Sequence, residues 1–206
     1  MARPQMHSRK EFIDAAIEIA DKEGLEGLTL RRLGTELNVS YTAVYTYFKS
    51  RDDLLSALVE RVSREIVEGI KATGTSPREV ILAVGISARQ TLAKRPRLIP
   101  VFAAGGTDGS DGAADAMLSI VTVLEAAGLR GEQLTSAYRC IESYIVGATV
   151  FDYGAAPDHI KLRRQRYKQS GHPEFVAIAK SDKSTIAHNE QAFVAGLERL
   201  LVAFGL

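Results

Sequence analysis

The stretch "NVSYTAVYTYFKS" (residues 38–50) decides the fold, because it combines a turn, a helix start and four aromatic rings. Asn38 tolerates the left-handed backbone conformation that ends a helix, and Ser40 is a residue type that begins one. On a helix that starts after Ser40, Val44 and Phe48 lie four residues apart and face inward. The other side chains of this helix are therefore predicted to face solvent, namely Tyr41, Thr42, Ala43, Tyr45, Thr46 and Tyr47.

Two helices are predicted before this stretch. In "SRKEFIDAAIEIADKEG" (residues 8–24) the apolar residues recur at three- and four-residue spacing, Ser8 can cap the start, and Gly24 ends the helix. In "TLRRLGTEL" (residues 29–37) Thr29 is a candidate N-cap and three leucines share one face. Because the second and third helices are short and joined by a tight turn, the sequence predicts a helix-turn-helix.

The outward-facing groups of the third helix match the chemistry of duplex DNA. Tyrosine and threonine hydroxyls donate to phosphate oxygens, Ala43 and the threonine methyls can touch thymine methyls, and Lys49 neutralises backbone charge. The alternative is that the rings pack inside a small bundle, but three tyrosines on the outer face of one short helix favour a contact surface. A net charge of only +1 does not by itself indicate a nucleic-acid-binding protein, so the prediction depends on this surface.

The rest of the chain is also predicted to be helical. Ser50 caps a long helix over 51–72, in which an apolar residue recurs at every fourth position from Leu54 to Ile70. The segment "KATGTSP" (residues 71–77) closes that helix and is the predicted domain boundary. Beyond it, the apolar spacing predicts helices over 78–94, 98–103, 113–127, 132–154 and 189–206. The predicted fold class is all-α.

The stretch "GLTLRRLGTELNVSYTAVYTYFKSRDDLLSALV" (residues 27–59) resembles the DNA-binding head of the TetR family of bacterial transcription regulators. The positions that carry the motif are Thr29, Leu33, Val39, Ser40, Tyr45, Tyr47, Phe48, Arg51, Asp52, Asp53 and Leu54. The resemblance implies that Thr29, Tyr45, Tyr47 and Lys49 grip phosphates while Tyr41, Thr42 and Ala43 approach base edges. The predicted DNA-binding set is Thr29, Arg31, Ser40, Tyr41, Thr42, Ala43, Tyr45, Thr46, Tyr47, Lys49 and Arg51.

Two positions depart from the family's pattern. Asn38 replaces the glycine that usually opens the turn, at a modest conformational cost. Gly34 replaces a common alanine, which costs roughly 1 kcal/mol in helix propensity, and we interpret it as allowing the third helix to approach closely. The resemblance further implies three segments: a DNA-binding domain over 1–50, a connecting helix over 51–72, and an effector-binding and dimerisation domain over 73–206.

The last helix, "NEQAFVAGLERLLVAFGL" (residues 189–206), also resembles the family's ending. In TetR-like proteins this helix and the one before it pack against the same pair of a second subunit. The resemblance thus implies a homodimer, in which two recognition helices about 34 Å apart contact a palindromic double-stranded DNA operator. The predicted dimer interface consists of Ile141, Ile145, Phe193, Gly196, Leu197, Leu200, Leu201 and Phe204.

TetR-like proteins usually bind a small, often apolar effector in the second domain. The resemblance implies a repressor that an effector releases from its operator by binding the DNA-incompetent arrangement more tightly. Candidate pocket residues are Phe102, Met117, Ile120, Val121, Tyr138, Cys140, Tyr144 and Phe151, and each also fits plain core or dimer interface. Cys140 is interpreted as a small buried residue. A DNA-binding dimer without an effector remains an alternative, and a helical-bundle enzyme is a more distant one.

The sequence offers little support for an enzyme, a metal-binding protein or a membrane protein. No nucleophile elbow, HExxH, phosphate loop or dinucleotide fingerprint appears, so neither an enzyme nor a cofactor is predicted. A single cysteine and four histidines without ligand spacing predict no metal site. The start lacks an apolar leader and no run approaches about 18 apolar residues, which predicts a cytoplasmic protein without a membrane span. The glycine-rich stretch 103–115 is predicted to be a loop. The basic run "KLRRQRYK" (residues 161–168) is interpreted as a solvated loop, with a contact to an acidic partner or to nucleic acid as the alternative.

Overall fold

The computed structural model describes residues 7–71, 74–103, 111–153, 165–181 and 186–206, and the regular structure within these ranges is helical. The all-α prediction is therefore confirmed. The helices are α1 (Arg9–Gly27), α2 (Leu30–Glu36), α3 (Tyr41–Tyr47), α4 (Arg51–Glu68), α5 (Pro77–Ala93), a 3-10 helix (Pro96–Leu98), α6 (Ile99–Ala103), α7 (Asp111–Ala126), α8 (Gly131–Tyr153), α9 (165–169), α10 (Pro173–Ser181) and α11 (Ile186–Ala203).

Helix α1 begins at a capping box, as its sequence predicts. The Ser8 hydroxyl oxygen accepts from the Glu11 backbone N–H, and the Glu11 carboxylate accepts from the Ser8 backbone N–H at 2.7 Å. These hydrogen bonds to Ser8 lower the pKa of Glu11. At the other end Gly24 has φ 81° and ψ 174°, so the regular helix is interrupted where the sequence predicts its end, and one further turn follows to Gly27.

The helix-turn-helix is built around Asn38 and Gly34. Asn38 adopts a left-handed φ of 53°, and the Val39 N–H donates to the Gly34 carbonyl at 2.9 Å to close the turn. A Cβ on Gly34 would lie 3.2 Å from Val44 Cγ2 and 3.3 Å from the Val39 carbonyl oxygen. The predicted close approach of α3 to α2 at this glycine is thus confirmed. Thr29 caps α2, as predicted.

Contacts divide the chain into two compact units. The head unit combines the described residues of Met1–Ile70 and Gln90–Ser119, and the second unit combines those of Lys71–Arg89 and Ile120–Leu206. Within the head unit, the 3-10 helix packs against α1 and α6 packs against α4, and Leu98 and Ile99 are buried. Because these units reflect packing alone, the division by role at residues 50 and 72 remains a prediction.

Several element boundaries differ from the prediction. Helix α4 ends at Glu68 rather than at residue 72, because Gly69 caps it and the following segment is rich in poor helix formers. Helix α7 begins at Asp111, inside the predicted glycine-rich loop, of which residues 104–110 lie outside the described part. Residues 165–168 of the basic run are helical rather than a loop, while 161–164 are not described. Helix α10 was not predicted, since nine residues give too short a periodic signal.

The core of the second unit lies between α5, α8 and α11. Ile141 and Ile145 of α8 are buried, as are Phe193, Leu197 and Leu201 of α11. Gly85 of α5 brings its backbone close to these side chains, because a Cβ there would lie 2.8 Å from Leu197 Cδ2 and 3.4 Å from Ile145 Cδ1.

Candidate DNA-binding surface and effector domain

Helix α3 presents its tyrosines to solvent. The side chains of Tyr41, Tyr45 and Tyr47 are 50%, 42% and 36% exposed, whereas Val44 and Phe48 are fully buried. Thr42 and Thr46 are also exposed, and Ala43 is partly exposed. The predicted inward and outward faces of this helix are therefore confirmed. The buried pair anchors α3 on the head unit, so the polar face is held in a fixed orientation.

Tyr41 and Tyr45 contact each other along the exposed face of α3. The Tyr41 hydroxyl donates to the Tyr45 hydroxyl oxygen at 2.6 Å, and the two rings meet edge to face with centroids 4.5 Å apart. The hydrogen bond with Tyr45 raises the pKa of Tyr41, since the bond favours the neutral phenol. The sequence predicts both rings outside but not this pairing, although the four-residue spacing is the one at which helical side chains meet.

The hydroxyl of Tyr47 is turned toward the protein itself. It donates to the backbone carbonyl of His7 at 2.8 Å, and its ring lies 4.8 Å from the ring of Phe12. A phenol carries one proton, so this O–H is occupied in the structure rather than available to a phosphate. The sequence contains no signal of this contact, because it joins residues forty positions apart.

Four further predicted residues surround the exposed face of α3. Thr29 and Ser40 are exposed, and each hydroxyl oxygen accepts from a backbone N–H as a helix cap, which leaves its own O–H able to donate outward. Arg31 and Lys49 are exposed as well. The surface thus combines hydroxyl donors with cations, the two kinds of group that bind phosphate oxygens.

Arg51 has a structural contact that the motif does not reveal. Its Nη2 donates to the Leu25 carbonyl at 2.7 Å and its Nε donates to the Leu28 carbonyl at 3.1 Å. The guanidinium therefore holds the start of α4 against the last turn of α1. The motif position predicts a cation near the DNA, but the carbonyls that bind this cation lie more than twenty residues away in the sequence.

The structure distributes the candidate effector residues over several environments. Ile120 is buried, Val121, Tyr138 and Tyr144 are partly exposed, and Phe102 belongs to the head unit rather than to the second unit. The side chains of Met117 and Phe151 lie outside the described residues.

Cys140 is exposed, which corrects the expectation of a buried thiol. It lies on the outer side of α8, a helix whose inner positions are filled by Ala137 and Ile141. The apolar character of cysteine did not predict whether this side chain is buried, because a small side chain can lie on either face of a helix.

Two candidate tyrosines have internal partners. The Tyr138 hydroxyl donates to Glu142 Oε1 at 2.9 Å, and burial, together with this carboxylate, raises the pKa of Tyr138. The Tyr144 hydroxyl donates to the Phe193 carbonyl at 3.0 Å, and the two rings stack with centroids 5.5 Å apart. A cleft of about 570 Å³ in the second unit is lined by the α7–α8 turn and the end of the chain rather than by these residues.

The predicted dimer residues fall into two groups. Five are buried within the single chain, where they form the contact between α8 and α11: Ile141, Ile145, Phe193, Leu197 and Leu201. Gly196, Leu200 and Phe204 are partly exposed. The apolar stripe thus faces the chain's own core, and periodicity cannot separate such a stripe from an interface. Among the described side chains of these helices, the large apolar ones that are exposed are Val150 and Val202, at 38% and 60%.

A buried arginine in the second unit was missed by the sequence analysis. Arg89 is only 2% exposed, and its guanidinium carbon lies 4.8 Å from the centre of the Phe193 ring. Among the residues that the structure describes, no group of three or more His, Cys, Asp or Glu side chains is arranged to hold a metal ion. Within the same ranges, no helix has the length and apolar character needed to cross a membrane.

Comparison with protein families agrees with this architecture. The model "Bacterial regulatory proteins, tetR family" matches residues 12–58, and the model "Tetracyclin repressor-like, C-terminal domain" matches residues 72–203. The chain belongs to the TetR family. The two matches correspond to the helix-turn-helix region and to most of the remaining chain, so the family resemblance noted for residues 27–59 extends over nearly the whole sequence.

One curated relative of this TetR-family chain is found in Streptomyces. The transcriptional repressor DrrR1 of Streptomyces coeruleorubidus is 34% identical over 139 residues, which cover 66% of this chain and 50% of that protein. The chain therefore spans about half the length of this curated relative.

Two solved structures share the fold. A TetR transcriptional regulator of Streptomyces coelicolor has a TM-score of 0.76 at 22% identity, covering 97% of this chain and 98% of its own. ActR of the same species, solved in complex with actinorhodin, has a TM-score of 0.74 at 19% identity, covering 97% of both chains.

Proposed function

We propose that this TetR-family protein is a sequence-specific DNA-binding repressor that a small molecule releases from its operator. The observation that carries the proposal is the exposed face of α3, where tyrosine and threonine side chains project from a helix anchored by Val44 and Phe48. Unlike Tyr47, whose hydroxyl binds the His7 carbonyl, Tyr41 and Tyr45 direct their hydroxyls to each other at the surface. This surface matches the phosphate oxygens and base edges of a duplex major groove.

Phosphate binding is assigned to the groups around α3. Thr29 and Tyr45 supply hydroxyl donors, and Lys49 and Arg31 supply positive charge at the two ends of the helix-turn-helix. Thr42 and Ala43, together with Thr46, face the same side and are assigned to base edges, where their methyl groups suit thymine. Tyr47 and Arg51 are assigned to holding the head together, since their polar groups bind backbone carbonyls of the α1 region.

A short recognition helix requires two copies of the head. Helix α3 has seven residues, and each well-placed base contact contributes about 1–3 kcal/mol of discrimination. A homodimer on a palindromic operator doubles this contribution, with recognition helices about 34 Å apart. The name of the DrrR1 relative as a repressor supports the repressor assignment.

The effector is assigned to the second unit. The structurally similar ActR was solved with actinorhodin bound, which supports a small-molecule ligand for this chain as well. Release from DNA requires that the ligand bind the DNA-incompetent arrangement more tightly, because equal affinity for both states shifts nothing.

The test begins with selection of duplexes from a random DNA pool by the full-length protein, followed by binding curves at several salt concentrations. Lys49→Ala is expected to weaken binding of the selected duplex and to reduce the slope of log K against log salt by about 0.9 for each lost phosphate contact. Lys71→Ala, which removes an exposed lysine of the second unit, serves as the control and is expected to keep both the affinity and the salt slope. Equal salt slopes for the wild type and Lys49→Ala would refute the phosphate role, and failure to enrich any duplex would refute the function.

A further inference from the structure

The hydroxyls of Tyr41 and Tyr45 form a directed pair on the exposed face of α3. Tyr41 donates to Tyr45 at 2.6 Å, and the edge-to-face ring contact at 4.5 Å restricts both side chains. Both rings are nevertheless about half exposed, so the pair sits on the surface rather than in the core.

The direction of the hydrogen bond decides which proton remains available. A phenol has one proton to donate and oxygen lone pairs that accept. With Tyr41 as the donor of the pair, the proton of Tyr45 is left for a further acceptor. A hydroxyl that accepts a hydrogen bond also becomes a stronger donor, because neighbouring hydrogen bonds polarise one another. The pair therefore offers one strengthened donor rather than two independent ones.

We propose that Tyr41 is a positioning residue for Tyr45, and that their hydroxyls form a relay ending on a single backbone phosphate of the operator. This inference rests on the proposed DNA-binding function and assigns Tyr41 a role different from the base contact that the family resemblance implies. The pre-formed pair lowers the cost of fixing the Tyr45 side chain on binding, since its orientation is already set.

Two observations favour a relay over separate contacts. The Tyr47 hydroxyl, on the same helix, is bound by a backbone acceptor of the protein, the His7 carbonyl at 2.8 Å. The partner of Tyr41, by contrast, is the exposed hydroxyl of Tyr45, so both hydroxyls of this pair lie at the surface. Phenols are protonated at neutral pH, so both hydroxyls of the pair keep their protons.

A double-mutant cycle on the duplex selected with the wild type tests the relay. Tyr41→Phe and Tyr45→Phe each remove one hydroxyl and keep the ring contact. Tyr45→Phe is expected to weaken binding about tenfold, as for loss of one hydrogen bond to a charged group, and Tyr41→Phe about threefold. In the Tyr45→Phe background, Tyr41→Phe is expected to have no further effect. Tyr167→Phe, a tyrosine of the second unit, is the matched control, and thermal melting confirms that each variant is folded.

A second measurement locates the phosphate. Replacing operator phosphates one at a time by neutral methylphosphonate is expected to reveal one position at which both substitutions lose their effect together. The relay is overturned if Tyr41→Phe weakens binding equally with and without the Tyr45 hydroxyl. It is also overturned if the loss of affinity caused by Tyr41→Phe depends on the identity of a base pair rather than on that phosphate. These outcomes leave the proposed function intact, whereas a wild type that binds no duplex removes both.

Discussion

At the scale of single residues, the contact between Gly196 and Tyr144 leaves no space for a larger side chain. A Cβ on Gly196 would overlap the Tyr144 hydroxyl oxygen, which donates to the Phe193 carbonyl at 3.0 Å. Gly196→Ala must therefore displace a ring that is both hydrogen-bonded and stacked. We expect it to lower the free energy of unfolding by about 1–2 kcal/mol, even though alanine gains roughly 1 kcal/mol in helix propensity. Urea denaturation followed by circular dichroism measures the change.

The double variant Gly196→Ala with Tyr144→Phe provides the control for this prediction. Removing the hydroxyl relieves the closest overlap, so the alanine costs less in the Tyr144→Phe background than in the wild type. A Gly196→Ala protein as stable as the wild type would show that Tyr144 moves aside freely.

Residues whose roles depend on near neighbours were predictable from the sequence. Asn38 and Gly34 could be assigned to the turn because the backbone demands of a helix-turn-helix are local. Tyr47 and Arg51 could not, since their partners are backbone carbonyls that any sequence supplies and that lie far away along the chain. Cys140 was misplaced because burial of a small side chain depends on which helices cover it.

At the scale of elements, α4 is tied to the segment before the 3-10 helix by a charged cluster. Arg95 donates to the Glu65 carboxylate through both terminal nitrogens, one of them at 3.1 Å, and Arg61 binds the same carboxylate at 2.7 Å. These side chains are only 19–26% exposed. Glu65→Gln leaves two half-buried guanidinium groups without their carboxylate. We expect it to lower the free energy of unfolding by about 1–3 kcal/mol, measured by urea denaturation.

Glu60→Gln is the matched control on the same helix. Glu60 binds Arg64 at 2.7 Å and lies 3.9 Å from Arg9, but these arginines are 56% and 46% exposed. Solvent replaces the lost carboxylate there, so the cost is expected to stay below about 1 kcal/mol. Equal losses for the two variants would mean that the Glu65 cluster contributes no more than an exposed pair.

Helices were predictable where a cap or a long apolar repeat marks them. The observed α5 and α8 begin and end within one residue of the predicted 78–94 and 132–154, since each carries many turns of amphipathic sequence. The end of α4 was placed too late because the apolar repeat continues to Ile70, whereas Gly69 already caps the helix. The packing of the 3-10 helix and α6 with the head was not predicted, as it depends on contacts between distant segments.

At the scale of the whole molecule, α8 and α11 each have a buried and an exposed face. Leu197 and Leu201 pack inside the chain, so the side chains left to contact a second copy lie on the opposite face, among them Val150 and Val202. The sequence assigned the dimer contact to this pair of helices, which stays a prediction, but five of the eight residues that it selected face the chain's own core. Helical periodicity marks the most apolar stripe, and in a subunit with its own core that stripe faces inward.

The dimer proposal is tested by placing a charge on this outer face. We expect the wild type to sediment at twice its 22.4 kDa chain mass, and Val202→Asp to sediment as a monomer with weakened operator binding, because burying an unpaired carboxylate opposes association. Val67→Asp makes the same change at a 36% exposed valine of α4 and should remain dimeric. Leu201→Ala changes the buried face of the same helix. Loss of this fully buried leucine is expected to lower the free energy of unfolding by about 2–5 kcal/mol. A Val202→Asp protein that stays dimeric at micromolar concentration would place the interface elsewhere on the chain, and the two heads would then be joined through different helices.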